Sequence, residues 1–178
     1  MVVCIVSIDH YLQYVEADTD SEALRALKGN LRAILAERLG TGAVGAIFEE
    51  SSPDKSSIAQ EFAETNGIPW HNISMTKEER VTAGIYDALQ NRPGSPDSDD
   101  MSCWIESRIP EDTVREAYFV RRIEAEAMPT QTALVLLGDM HVQRVADVLT
   151  EQEHQVEIVQ DLVPKKRWVE HTTFPGAT

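Results

Sequence analysis

Cysteine is scarce in this 178-residue chain, with two residues, Cys4 and Cys103, and no C-x-x-C pair. That excludes a structural zinc ribbon. Cys4 lies in an apolar run, where a small buried thiol is common, and nothing else points to a disulfide-forming compartment. Positive charge is also short: 16 Lys and Arg stand against 30 Asp and Glu, a net charge of −14. Nucleic-acid backbones and anionic membranes both reward Lys/Arg patches, so neither is expected as the partner. The tight basic run Lys165-Lys166-Arg167 is too short to reverse this. No apolar stretch has the length of a membrane span. The opening "MVVCIVSIDH" has no basic n-region and its apolar run ends in Asp-His, unlike a signal peptide. The expectation is a soluble, cytoplasmic protein.

Several catalytic signatures are missing as well. Neither G-x-x-x-x-G-K-[ST] nor G-x-G-x-x-G occurs, which counts against a phosphate-cradling loop. Ser51-Ser52 lacks the G-x-S-x-G elbow of a hydrolase nucleophile. There is no H-E-x-x-H or H-x-H, and no internal repeat.

What the chain does contain is an alternation of short apolar runs with amphipathic stretches. Val2 to Ile8 is β-branched and nearly continuous, as in a strand covered on both faces. Thr19 and Glu22 have capping-box spacing, followed by Leu24, Leu27, Leu31, Ile34, Leu35 and Leu39 at helical period, up to Gly40. Ala43 to Phe48 predicts a second strand. Ile58, Ala59, Phe62 and Ala63 mark a helix closed by Asn66-Gly67. Ile68 to Met75 predicts a third strand, with Pro69 favouring an edge, and a weaker helix is expected around Glu78 to Leu89. The segment Asn91 to Asp100 reads as an exposed loop.

A long helix is expected from Glu111 to Ala127, opened by Pro110. "TALVLL" is the most apolar strand and therefore the expected centre. Val142, Val145, Ala146 and Leu149 line the last helix, and "QVEIV" is a final strand. These elements imply one α/β domain over residues 1–163, with an irregular tail from Pro164 over residues 164–178. The fold class is a three-layer, mostly parallel open sheet of about five strands with helices on both faces. Right-handed crossovers bring the strand carboxyl ends to one edge, where ligands of such sheets bind.

Three strands end in ionisable residues at that edge. The first delivers Asp9-His10, the second Glu49-Glu50, and the late central strand Asp139-x-His141. Each has an ordinary explanation, since Asp139 could cap the following helix and a first-turn histidine is usually solvated. Their coincidence on one rim is not required by local periodicity. Two imidazoles and a carboxylate can share acid and base work, hold a metal with an open position, or bind a ligand without turnover. The metal set would be His10, His141 and Glu49, suited to a divalent ion ahead of haem. Strand alternation lets at most one of Glu49 and Glu50 face the site. On the long helix, Arg121 shares a stripe with Val114, Ala117, Tyr118 and Ala125. It either snorkels to solvent or pairs with a rim carboxylate or substrate anion; Arg115 and Arg122 lie on an adjacent face. His71 could line the cleft, although a half-buried strand histidine is the plainer reading. His154 and His171 read as surface residues, and Trp70 and Trp104 as core or rim packing.

The histidine after the first strand, the glutamate after the second, "REAYFVRRI" and "LLGDMHVQRVADVL" together resemble one broad superfamily. It contains the pheromone-shutdown (TraB-type) proteins, the ChaN-type haem-binding lipoproteins and the erythromycin esterases. In those families an arginine-bearing helix leads into a strand ending G-x-x-H, and Gly138-Asp139-Met140-His141 has that form. The resemblance implies His10, Glu49 or Glu50, and His141 as site residues, with Arg121 or Arg115 beside them. This chain carries Ile8-Asp9-His10 where many relatives carry glycine-glutamate before the histidine, and it is much shorter. The leading expectation is a small hydrolase-like enzyme, metal-assisted or not, acting on a small-molecule substrate. The alternatives are a non-catalytic binder of a metal, haem or small ligand, and an acidic partner for a basic protein.

Overall fold

The apolar runs at the two ends of the chain become neighbouring strands. In a computed structural model, Val2–Ile8 is β1 and Thr132–Gly138 is β4, each buried along its length except at its first residue. The structure describes residues 1–15, 20–41, 44–85 and 101–159, with the backbone alone at Tyr11 and residues 101–109. With β2 (Val44–Glu49), β3 (Trp70–Asn72) and β5 (Gln155–Val159) they form an all-parallel sheet in the order β3-β2-β4-β1-β5. The most apolar strand, β4, is central. The strand after Pro69 is an edge and is shorter than expected, holding three residues of the Ile68–Met75 run.

Helices α1 (His10–Gln13), α2 (Glu22–Gly40) and α3 (Ile58–Asn66) follow β1 and β2. Leu12, Leu31, Leu35, Ile58, Ala59 and Ala63 pack them on one sheet face against Cys4, Val6, Ile8, Ile47, Leu134 and Leu136. On the other face, α5 (Met101–Glu126) and α6 (Asp139–Glu151) cover Val3, Ile5, Phe48, Val135 and Leu137. Strand order and layer are linked by handedness. The chain runs from β1 to β2 to β3 in one direction along the sheet, then back to β4 and on to β5 in the other. Right-handed crossovers in opposite directions must lie on opposite faces. The three layers expected from the pattern follow.

Some local expectations are corrected. Ser21, not Thr19, caps α2, accepting from Leu24 N at 3.2 Å; Thr19 lies outside the described residues. A capping box is formed by Thr76 and Glu79, opening α4 (Lys77–Thr82). That helix stops well short of Leu89, and residues 86–89 lie outside the described residues, as do the expected loop (91–100) and tail (164–178). Pro110 does not open α5 but sits inside it. A proline there removes one backbone hydrogen bond, a local loss that a helix of 26 residues carries.

The face of α5 also differs from the expected stripe. Glu116, Phe119, Val120 and Ile123 are buried, while Ala117, Arg121 and Ala125 are exposed. Burying a phenylalanine, a valine and an isoleucine removes more apolar area than burying two alanines and a tyrosine edge, so the helix turns that way. No helix among the described residues is long and apolar enough to cross a membrane. Cys4 is a free, buried thiol.

Candidate functional site

Parallel pairing aligns the ends of three adjacent strands. Ile8 of β1 is in register with Gly138 of β4, and Glu49 of β2 with Leu136 of β4. Helix α1 leaves β1 towards one face and α6 leaves β4 towards the other, so the two connections part at the position where doubly wound sheets bind ligands.

Glu50 is the centre of the cluster. It lies one residue beyond β2 and is 3% exposed. Its Oε1 forms a charge-assisted hydrogen bond with Arg115 Nη2, and Arg115 Nη1 donates to Asp112 Oδ1 at 3.1 Å. Its Oε2 accepts from the backbone N–H of Gly138 at 3.2 Å, which ties the end of β2 to the start of α6. His141, also 3% exposed, turns Nε2 towards Glu50 Oε1 at 3.7 Å. The other ring nitrogen of His141, Nδ1, lies 3.0 Å from Glu116 Oε1, and its ring meets Phe119 edge-on. Arg115 and Glu116 on α5 thus clamp the two rim groups from above.

His10 approaches from the other side. It begins α1 and is exposed, in contrast to the buried groups beneath it. A Cβ placed on Gly138 would lie 3.0 Å from His10 Nε2 and 3.4 Å from Glu50 Oε2, so Nε2 points at the same small region as the carboxylate. Glycine at position 138 lets the His10 ring approach the backbone this closely. His10 Nδ1 bonds to Gln13 Oε1 at 2.7 Å.

Alternation along β2 sends Glu49 to the opposite face. There it is fully buried, accepting from Ser57 Oγ at 2.5 Å, Trp70 Nε1 at 2.9 Å and Gln13 Nε2 at 3.2 Å. Burial pushes its carboxyl above the usual carboxylate range, and the hydrogen bonds from Ser57, Trp70 and Gln13 pull it part of the way back. The question of which glutamate faces the rim is settled in favour of Glu50.

The remaining expected site residues divide as follows. Arg115, and not Arg121, reaches the rim; Arg121 is exposed, its guanidinium carbon 6.0 Å from the Tyr118 ring centre. Asp9 is half-buried at the turn between β1 and α1, where its carbonyl accepts from Leu12 N. Asp139 is exposed in the first turn of α6 and does not cap it; Gly138 is the N-cap, with no side-chain cap bond. His71 is half-buried and stacks on Phe48 with ring centres 5.0 Å apart. The set His10, His141 and Glu49 is not gathered for a metal, because strand alternation turns Glu49 away. Among the described residues no group of three His, Cys, Asp or Glu side chains is arranged to hold one.

Two supports had not been anticipated, Gln13 and Glu116. Gln13 is three residues after His10, the spacing that shares a helix face. Glu116 falls on the stripe of Phe119 and Ile123, a buried carboxylate on an apolar face. Comparison with protein-family models, with curated proteins and with solved structures gave no match.

Proposed function

We propose that the rim cluster is the active site of a small hydrolase-like enzyme that acts by general acid and base catalysis. The observation that supports this reading is an exposed imidazole, His10, set over a floor of buried and mutually bonded charged groups. Surface turn residues do not call for such support. A partner-docking surface would leave the same groups individually solvated. In this reading His10 Nε2 takes a proton from a water molecule as the water oxygen bonds to a carbonyl-type carbon of the substrate. The imidazolium then returns the proton to the departing group. Glu50, held by Arg115 and Gly138 N–H, supplies negative charge beside the ring when it is protonated. His141, fixed through Glu116, faces the same carboxylate at 3.7 Å. The resemblance to the TraB, ChaN and erythromycin-esterase superfamily belongs to the same proposal, as does a cytoplasmic location. A small, polar, neutral or cationic ester, lactone or amide suits an acidic rim better than a polyanion.

The test is turnover of a panel of small chromogenic esters, lactones and amides by the purified protein and by His10→Ala. The variant should lose about 10²–10⁴-fold in kcat while unfolding within about 1 kcal/mol of the parent, because an exposed ring contributes one modest hydrogen bond. Full turnover in His10→Ala, or no turnover of any panel member by the parent protein, would count against hydrolysis at this rim.

A further inference from the structure

We infer that Gln13 is the positioning residue that fixes the tautomer of His10, and that the buried Glu49 serves to hold Gln13. This rests on the acid–base reading of the rim and deepens it. The carboxamide nitrogen of Gln13 lies 2.5 Å from the backbone carbonyl oxygen of Glu50 and 3.2 Å from Glu49 Oε1. A backbone carbonyl has no proton to give, so the end of the Gln13 amide that faces it must be the NH₂ group. The amide oxygen is then the atom 2.7 Å from His10 Nδ1. It accepts only, and therefore Nδ1 carries the proton. In the neutral ring Nε2 is left with its lone pair, directed at the space beside Gly138 and Glu50 Oε2.

The arrangement explains three features that the proposed chemistry alone leaves over. Gln13 is fully buried although it sits one turn from an exposed histidine. Glu49 is a carboxylate with no access to the rim, yet it receives three donors and so anchors the amide from behind. The first helix is four residues long, His10–Gln13, which is the length needed to set residues i and i+3 on one face. Ser57 links this anchor to the fold, since the hydroxyl that donates to Glu49 also caps α3 through Gln60 N at 2.9 Å.

The test is the tautomer of the His10 ring, read from long-range proton–nitrogen correlations of the nitrogen-15-labelled protein at a pH where the ring is neutral. The expected result for the parent protein is protonated Nδ1 and bare Nε2. A ring protonated at Nε2 overturns the inference, and this measurement needs no variant. Gln13→Met, close in shape, should give a mixture of tautomers and lower kcat/KM by about 10–100-fold, the range seen when a group that orients a histidine is removed, with KM little changed. A Gln13→Met protein whose His10 tautomer is that of the parent also overturns it. The tautomer is read without turnover, so the positioning role and the hydrolase reading can fail separately.

Discussion

Replacing Arg115 with methionine keeps much of the apolar stem of the side chain and removes its charge. In the folded protein the Arg115 side chain is 14% exposed and the Glu50 side chain 4%, so water cannot take the place of the lost cation. Breaking a buried pair by removing one member costs about 3–5 kcal/mol, most of it from the charge left behind. Glu50 keeps the Gly138 N–H and the facing His141, which brings the expected cost to the lower end, about 3 kcal/mol. Glu50→Gln leaves Arg115 with Asp112 and some solvent, and about 1–2 kcal/mol is expected from the weaker, neutral hydrogen bonds. The double variant should resemble Glu50→Gln, because the orphaned charge is gone. The coupling between the two sites then equals the Arg115→Met cost, about 3 kcal/mol. Urea unfolding of the four proteins measures it, and Arg115→Met should melt about 6–12 °C below the parent for a chain of this size. If the two substitutions add within about 0.5 kcal/mol, as distant sites do, Arg115 and Glu50 do not form the buried pair described and the rim cluster loses its anchor.

The carboxyl of Glu49 is raised in the folded state by burial. A raised acid contributes stability that is fully present below its unfolded pKa, about 4.3–4.5, and lost as pH rises through the higher folded value. Relative to Glu49→Gln, the parent protein should therefore lose stability on going from pH 4 upwards; a gap between the two that is flat with pH refutes the assignment. Gly138→Ala meets His10 Nε2 at 3.0 Å but has a backbone φ of −57° that alanine accepts. The variant should unfold within about 1 kcal/mol of the parent while His10 ring resonances shift and turnover falls about tenfold or more. Unchanged His10 resonances would show that the ring does not occupy the space beside Gly138.

The layer architecture was legible because it rests on local periodicity and chain chirality. Continuous apolar runs at Val2–Ile8 and Thr132–Leu137 can only be strands covered twice, and amphipathic stretches between parallel strands must cross over right-handedly. Those two facts carry His10, the Glu49-Glu50 pair and His141 to one edge from the sequence alone. The resulting edge is present in the structure. The order β3-β2-β4-β1-β5 was not legible, because strand neighbours are chosen by packing among residues far apart in sequence, 130 positions for Val3 and Ala133. The rotation of α5 was decided the same way. Its sequence offers two stripes, one of Val114, Ala117, Tyr118 and Ala125 and one of Phe119, Val120 and Ile123, and contact with the sheet selects the second. That choice brings Arg115 and Glu116 to the rim and leaves Arg121 in solvent. Likewise, alternation stated that Glu49 and Glu50 part company, but the phase was set by the core that Ile47 and Phe48 fill on opposite faces. The sequence by itself determined the kind of fold and the edge on which the ionisable residues gather. The tertiary structure decided which side chains meet there, because hydrogen bonds such as Gln13 to Glu49 and Arg115 to Glu50 join residues that only packing brings within reach.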